Sequence, residues 1–222
     1  MFQWFIGAAG LALIILPANI ASAQDATTST ITLDEETCEI VSGDFGAPSA
    51  TLHVTSHCQG MGGWTLVLHE YAKSEGVSLA YGEDYVSPEL PILSHAPIGR
   101  VLDSVDWLKT DDDGDGNDEI AGLVIGYAEE NWQKPPPNQY LNYYAIALKG
   151  GDTPVACPIA RLEGLTKRGA DNAAAVAVGL FADQWSCETD KALVFTAEST
   201  GSTSYVNAVY EKARELGFMP PD

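Results

Sequence analysis

Seven short apolar segments follow one another between Cys38 and Ala160, and glycine, proline and other turn-forming residues separate them. Short runs of this kind, bounded by turn residues, favour strands over helices. The predicted strands are Ala50–His57, Trp64–Tyr71, Val77–Tyr81, Val101–Leu108, Ile120–Glu129, Tyr140–Leu148 and Val155–Leu162. Residues 38–163 are therefore predicted to form an antiparallel, β-rich part of the fold.

The C-terminal third of the chain has a different pattern. The Ala-rich stretch Ala170–Ala182 predicts a helix with Asp171 as its N-cap, and Ala192–Ala197 predicts a buried strand. A second helix is predicted to begin at a cap formed by Ser202 or Thr203. Strands followed by helices indicate an α+β fold, with the helices gathered at the C-terminal end.

The first 23 residues contain no charged side chain and are apolar up to Pro17. Small residues at 21–23 then match what signal peptidase prefers, so 1–23 is predicted to be a signal peptide and the mature chain to begin near Gln24. We expect a secreted or periplasmic protein with no stable membrane span after cleavage. Residues 24–37 are predicted to be a flexible leader, and 38–222 a single globular domain with an α/β C-terminal part over 164–222.

The charge of the chain limits its partners. Because 31 acidic residues outnumber 11 basic ones, the formal charge is −20. Such a charge repels nucleic acid and anionic membranes and favours cations and basic partners. Nucleic acid is therefore excluded as a predicted partner.

The four cysteines, at positions 38, 58, 157 and 187, are even in number, and an exported protein folds under oxidising conditions. Two disulfides are therefore expected, and three connectivities are possible. Cys38–Cys58 and Cys157–Cys187 are favoured, since both pairings close short loops of about 20–30 residues.

An acidic segment at residues 111–119 stands between two predicted strands, with the sequence Asp-Asp-Asp-Gly-Asp-Gly-Asn-Asp-Glu. Six carboxylates in nine positions are costly to hold together unless a hard cation lies among their oxygens, which predicts a calcium site. An EF-hand would need a bidentate acid at position 12, but that residue is Gly122. It would also need flanking helices, and the flanking sequence predicts strands.

This segment resembles the calcium loop of FG-GAP and VCBS-type β-propeller blades, whose pattern is Asp-x-Asp-Gly-Asp-Gly-x-x-Asp/Glu before an apolar strand. The resemblance covers about 30 residues, and a propeller needs several such blades, so it implies one blade-like hairpin rather than a full propeller. It implies side-chain oxygen ligands from Asp111, Asp113, Asp115 and Glu119, a backbone carbonyl ligand from Asn117, and outward-pointing Asp112 and Asp118.

Other residue types allow two weaker hypotheses. His53 and His57 share a face of one predicted strand and His69 lies on the next, so a transition-metal site is one interpretation and partly buried polar histidines the favoured one. Tyr143 and Tyr144 adjoin a loop that contains Trp132 and three prolines. Core or loop packing is the favoured interpretation of these aromatic residues, and a binding edge for a sugar or a peptide is the alternative.

The sequence contains neither a Gly-x-Ser-x-Gly nor a His-Glu-x-x-His motif. We therefore expect an exported, calcium-stabilised and non-enzymatic domain that binds a protein or carbohydrate ligand or has a structural role. The alternative is an exported hydrolase whose acid and histidine residues come together only in the fold.

Overall fold

Two β-sheets and a layer of helices form the part of the chain that the computed structural model describes, namely residues 27–43, 53–90, 99–110, 119–130, 139–164, 167–200 and 203–219. One sheet has a surface that no described helix covers, and we call it the outer sheet. The other lies between the outer sheet and the helices, and we call it the central sheet. The predicted signal peptide, residues 1–23, lies outside the described residues.

The outer sheet is antiparallel and its five strands follow chain order. The strands are β2 (Cys38–Gly43), β3 (His53–Cys58), β4 (Trp64–Tyr71), β5 (Glu75–Tyr81) and β6 (Tyr85–Val86). In β3 the alternate residues Val54, Ser56 and Cys58 are buried, while His53 and His57 are exposed. This alternation is typical of a sheet with one face on a core and the other toward solvent.

The central sheet has six strands in the order β1-β7-β8-β9-β10-β11. They are β1 (Thr27–Thr32), β7 (Gly99–Thr110), β8 (Glu119–Glu130), β9 (Gln139–Lys149), β10 (Val155–Glu163) and β11 (Leu193–Phe195). All neighbours are antiparallel except β10 and β11, which are parallel and connected through a helix.

The structure differs from the predicted flexible leader at Thr27–Thr32, because these residues form β1 and pair with β7 over six positions. Four of the six are threonines, whose branched Cβ suits extended backbone. The Thr30 hydroxyl also donates a hydrogen bond to the buried carboxylate of Asp106. Pairing with a sheet edge orders this segment, and the sequence pattern alone did not indicate that partner.

The described residues also form three helices: α1 (Lys167–Phe181), α2 (Ala197–Thr200) and α3 (Tyr205–Glu215). Helix α1 begins before Asp171, so this residue is inside the helix and is not its N-cap. Helix α3 is capped by Ser204, whose hydroxyl accepts a hydrogen bond from the backbone N–H of Asn207, rather than by Ser202 or Thr203. None of the described helices is long and apolar enough to span a bilayer.

Two apolar cores lie on opposite faces of the central sheet. The inner core, between the two sheets, contains Trp107, Leu66 and Leu79. The outer core lies between the central sheet and helices α1 and α3, and it contains Phe181 and Val209. The described residues therefore form an α+β fold of three layers, β-rich with C-terminal helices, as the sequence predicts.

Both favoured disulfides are confirmed. Cys38 and Cys58 are directly opposed on β2 and β3 and join the edge strand of the outer sheet to its neighbour. Cys157 and Cys187 join β10 to the segment that follows α1. For loops of 20 and 30 residues, the loop-entropy model gives a stabilisation of about 3–4 kcal/mol for each disulfide.

Candidate functional site

Four of the five predicted calcium ligands, Asp111, Asp113, Asp115 and Asn117, lie outside the described residues. The fifth, Glu119, is the exposed first residue of β8. The predicted strands on either side of the acidic segment are confirmed, because β7 ends at Thr110 and β8 begins at Glu119. The segment therefore connects two long neighbouring strands of the central sheet.

The ends of the acidic segment are fixed close together. Thr110 and Glu119 are cross-strand partners, and Lys109 is paired with Ile120 one step farther from the loop. Partners in an antiparallel pair have Cα atoms roughly 4.5–5.5 Å apart. The two residues that flank positions 111–118 therefore lie next to each other at the end of the β7–β8 ladder.

The outer sheet packs against the base of this hairpin. Gly62, in the turn before β4, has φ +59, and a Cβ at this position would lie 2.6 Å from Cγ1 of Ile120. Only glycine combines that backbone conformation with such a close approach. A cavity of about 340 Å³ opens beside Glu119 and is also lined by Lys149 and Asp183. The ammonium group of Lys149 donates a hydrogen bond to the Asp183 carbonyl oxygen at 3.2 Å.

Three histidines lie on the solvent side of the outer sheet, and we call this surface the histidine face. His53 and His57 are on β3, and His69 is on β4 opposite Thr55, which is midway between them. Four residues along a strand span about 13 Å, so His53 and His57 are too far apart to bind one ion together. Within the described part of the chain, no three His, Cys, Asp or Glu side chains are grouped to hold a metal ion.

His69 is the central and least exposed of these three histidines. Its Nε2 is 3.0 Å from the hydroxyl oxygen of Ser78 on β5, a buried residue. Its Nδ1 is buried, and no hydrogen-bond partner for it exists among the residues that the structure describes. Burial lowers the pKa of His69 below 6.5, and the carboxylate of Glu89 opposes that shift. The neutral imidazole is therefore favoured.

Tyr71 connects His53 to Glu89 on the same face. The ring of Tyr71 stacks on that of His53, with centroids 4.9 Å apart and an angle of 7° between the planes. Its hydroxyl donates a hydrogen bond of 2.7 Å to Glu89 Oε2. Burial, and after it the Glu89 contact, raises the pKa of Tyr71 to about 12. His53, Tyr71 and Glu89 therefore form one connected group on the histidine face.

A second polar group, around Glu75 on β5, joins the two sheets. The backbone N–H of Val101 donates to Glu75 Oε2 at 2.8 Å, and the Tyr127 hydroxyl donates to the Glu75 carbonyl oxygen at 3.1 Å. Burial raises the pKa of the Glu75 carboxyl, and the Val101 hydrogen bond opposes this. Glu75 shares a strand face with Val77 of the inner core, whereas His69 faces the other way. The fold therefore does not bring this carboxylate and this histidine together.

Core packing, the favoured interpretation of Tyr143 and Tyr144, is confirmed, and the alternative of a binding edge is wrong for these two residues. Both are buried on β9, with exposed fractions of 1% and 3%. Tyr143 belongs to the outer core and Tyr144 to the inner core, because successive residues of a strand face opposite sides. Trp132 lies outside the described residues.

Sequence reasoning found the histidines but missed Tyr71, Ser78 and Glu89. Tyr71 could have been found from the period of two that it shares with His69. Ser78 and Glu89 had no such signal. Ser78 reaches this face through the pairing of β4 with β5, and Glu89 through the hydrogen bond of the following Leu90 N–H to the Val77 carbonyl oxygen.

No family model, curated protein or solved structure matches this chain. Function must therefore be inferred from the geometry.

Proposed function

We propose that this chain is an exported domain held together by calcium at residues 111–119, and that it binds another macromolecule or has a structural role. The observation that carries the proposal is the cross-strand pair Thr110–Glu119, which closes the base of the acidic segment. The expected ligands are Asp111, Asp113, Asp115 and Glu119 through side-chain oxygens and Asn117 through its carbonyl oxygen.

Charge repulsion supports a bound cation. Two carboxylates about 6 Å apart repel each other by about 0.7 kcal/mol in water and roughly 3 kcal/mol near a protein surface. Six of them occur in nine positions here, and the whole chain carries −20. A divalent ion with oxygen ligands replaces this repulsion by attraction, and calcium tolerates the irregular geometry of a loop.

The position of the segment supports a stabilising role for the ion. β7 and β8 occupy the interior of the central sheet, so an ion at their connection fastens strands that contribute to both cores. With free calcium at about ten times the Kd, binding adds about 1.4 kcal/mol to the free energy of unfolding. Export is supported by the apolar N-terminal segment and the two disulfides.

The partner class follows from charge and from the absence of recognised catalytic motifs in the sequence. With 11 basic residues against 31 acidic ones, the surface favours a basic protein segment or a neutral carbohydrate over an anionic polymer. We therefore include protein and carbohydrate as partner classes and leave out nucleic acid.

Calorimetric titration and thermal unfolding with calcium or a chelator test this proposal. The wild type should bind one calcium ion, and chelation should lower its Tm by several degrees. Asp113→Ala combined with Asp115→Ala should abolish both effects. The matched control, Asp112→Ala with Asp118→Ala, removes the same charge at the positions expected to face solvent and should retain binding. Equal loss of calcium binding in both double variants would contradict the proposal, and so would an unchanged wild-type Tm after chelation.

An exported hydrolase is the second candidate, and one contact favours it. The Ser78 hydroxyl lies within hydrogen-bonding distance of His69 Nε2, as a nucleophile does beside its general base. Against it, Ser78 is only 3% exposed, and His69 Nδ1 has no orienting carboxylate among the described residues. Reaction with a fluorophosphonate that is lost in Ser78→Ala would establish the hydrolase; no reaction would favour the binding domain.

A further inference from the structure

We propose that His53 and His69, on the histidine face, bind a transition-metal ion of the group that imidazole prefers, Zn²⁺, Cu²⁺ or Ni²⁺. The two residues are diagonal neighbours on β3 and β4. Their ring centroids are 5.9 Å apart and their planes are inclined by 31°. Two imidazoles on one ion, with metal–nitrogen bonds of about 2.0–2.1 Å, have centroids roughly 5–6 Å apart. The spacing of the rings therefore suits one shared ion.

The hydrogen bonds of His69 leave one nitrogen for the ion. If Nε2 carries the proton and donates to Ser78 Oγ, Nδ1 has its lone pair free and lacks a partner within the described residues. A buried polar atom without a partner costs about 1–3 kcal/mol, and a metal ligand bond would remove that cost. A hydrogen bond from the second ring nitrogen is also the usual way in which a metal-binding histidine is oriented.

The other ring is held in place without being covered. His53 is exposed, and its stacking on Tyr71 restrains the plane of its ring. Stacking leaves the edge of the imidazole, where the lone pair lies, open to solvent. His53 can therefore supply the second nitrogen while water completes the coordination.

Charge near the pair also favours a cation. The carboxylate of Glu89 acts electrostatically on His69 and accepts the hydrogen bond of Tyr71. It lies over Gly76, the cross-strand partner of His69, where any larger residue would meet it. A negative charge beside two neutral imidazoles offsets part of the charge of a divalent ion.

The third histidine provides a matched control. His57 is exposed on the same face and the same strand as His53, about 13 Å away, and so cannot join the same ion. Both residues are exposed, so replacing either by alanine should leave the fold intact. The comparison of His53→Ala with His57→Ala then distinguishes a specific site at His53 and His69 from unspecific metal binding by exposed histidines.

The test is calorimetric titration of the full chain with Cu²⁺, Ni²⁺ and Zn²⁺ in turn, in excess calcium so that the acidic segment is occupied. Wild type and His57→Ala should each bind one ion with the same affinity, and His53→Ala should bind at least about tenfold more weakly. Frozen-solution electron paramagnetic resonance of the Cu²⁺ complex should show two nitrogen ligands in the wild type and one in His53→Ala.

Three results would overturn this inference. The first is a wild type with no saturable binding near one equivalent. The second is equal weakening by His53→Ala and His57→Ala. The third is loss of binding when calcium is added, or in the Asp113→Ala, Asp115→Ala variant, since either would locate the ion in the acidic segment. The calcium proposal stands or falls independently, because its variants leave the histidines unchanged.

Discussion

The outward surfaces of the two sheets differ in what covers them. Helices α1 and α3 lie on the central sheet, whereas the outer sheet presents the histidine face. In β8 the six consecutive residues Gly122–Tyr127 are all buried, while β3 alternates between buried and exposed positions. A strand that is buried on both faces has a continuous apolar sequence, whereas a strand with one face toward solvent alternates between apolar and polar residues. Polar residues can therefore occupy the solvent side of the outer sheet without replacing apolar side chains of a core.

The covered surface also depends on small residues. Gly122 on β8 lies against Val178 of helix α1. The outer core between the sheet and the helix also contains four alanines, Ala145 and Ala147 on β9 and Ala174 and Ala177 on α1. Small side chains allow a helix and a sheet to approach closely, so this contact has little room for added atoms. The histidine face has no such restriction. Substitutions on the two surfaces should therefore differ in their effect on stability.

The largest effect is expected for Phe181→Ala. Phe181 is fully buried in the outer core, where it packs on Trp185 and Phe218 with centroids 5.8 and 5.6 Å away. Its truncation leaves a cavity and should lower the free energy of unfolding by about 3–5 kcal/mol, measured by urea denaturation. Val86→Ala, on an outer-sheet residue that is 61% exposed, is the control and should change it by less than about 0.5 kcal/mol. Similar losses of unfolding free energy in the two variants would contradict the expected difference between the covered surface and the open one.

Two glycines should respond to alanine with opposite signs. A Cβ on Gly122 would lie 2.8 Å from Cγ1 of Val178 on α1, so Gly122→Ala should destabilise by about 1–3 kcal/mol. Gly179 is exposed on the same helix, and a Cβ there would meet nothing within 4 Å. Gly179→Ala should therefore stabilise by about 0.5–1 kcal/mol through helix propensity. The denaturant midpoints of the two variants measure both changes in stability. Stabilisation by Gly122→Ala would show that Gly122 and Val178 are not in tight contact.

The smallest effect concerns the pH dependence of the histidine face. The pKa of His69 is lower in the folded chain than its unfolded value of 6.5, so below that pH the unfolded chain binds more protons. The contribution of His69 to stability is therefore complete above pH 6.5 and is lost as the pH falls through the folded pKa. His69→Gln should lose less Tm than the wild type between about pH 7.5 and about pH 5.5. His57→Gln is the control. If the Tm of His69→Gln falls with pH as steeply as that of the wild type, His69 is not the cause of the pH dependence.

Much of the fold follows from local patterns in the sequence. The predicted strand Trp64–Tyr71 has the bounds of β4, and the other six predicted strands are confirmed with ends shifted by a few residues. Chain separation favoured the observed disulfide pairing over the two other connectivities, because a short loop is the least costly to close. These features depend on neighbours in the chain, which the sequence displays directly.

Other features were not predictable from local patterns. β1 forms because β7 offers a free edge more than 70 residues away. Tyr143 and Tyr144 are buried because β9 lies inside a sheet that is covered on both sides. Ser78 joins the histidine face through the pairing of β4 with β5, and Glu89 through the return of the chain along β5 after β6. Each of these depends on a partner distant in sequence, and no local pattern identifies that partner.

The acidic segment, the two strands that flank it and the α+β class follow from the amino-acid sequence, which also favours the observed cysteine pairing among three possible ones. Composition, periodicity and chain separation are local or nearly local quantities, so they can be evaluated before folding. The assembled fold, by contrast, sets which sheet is central, which face is left open and which residues surround His69. Those outcomes depend on which apolar surfaces bury one another, and burial is a property of the assembled layers rather than of any single segment.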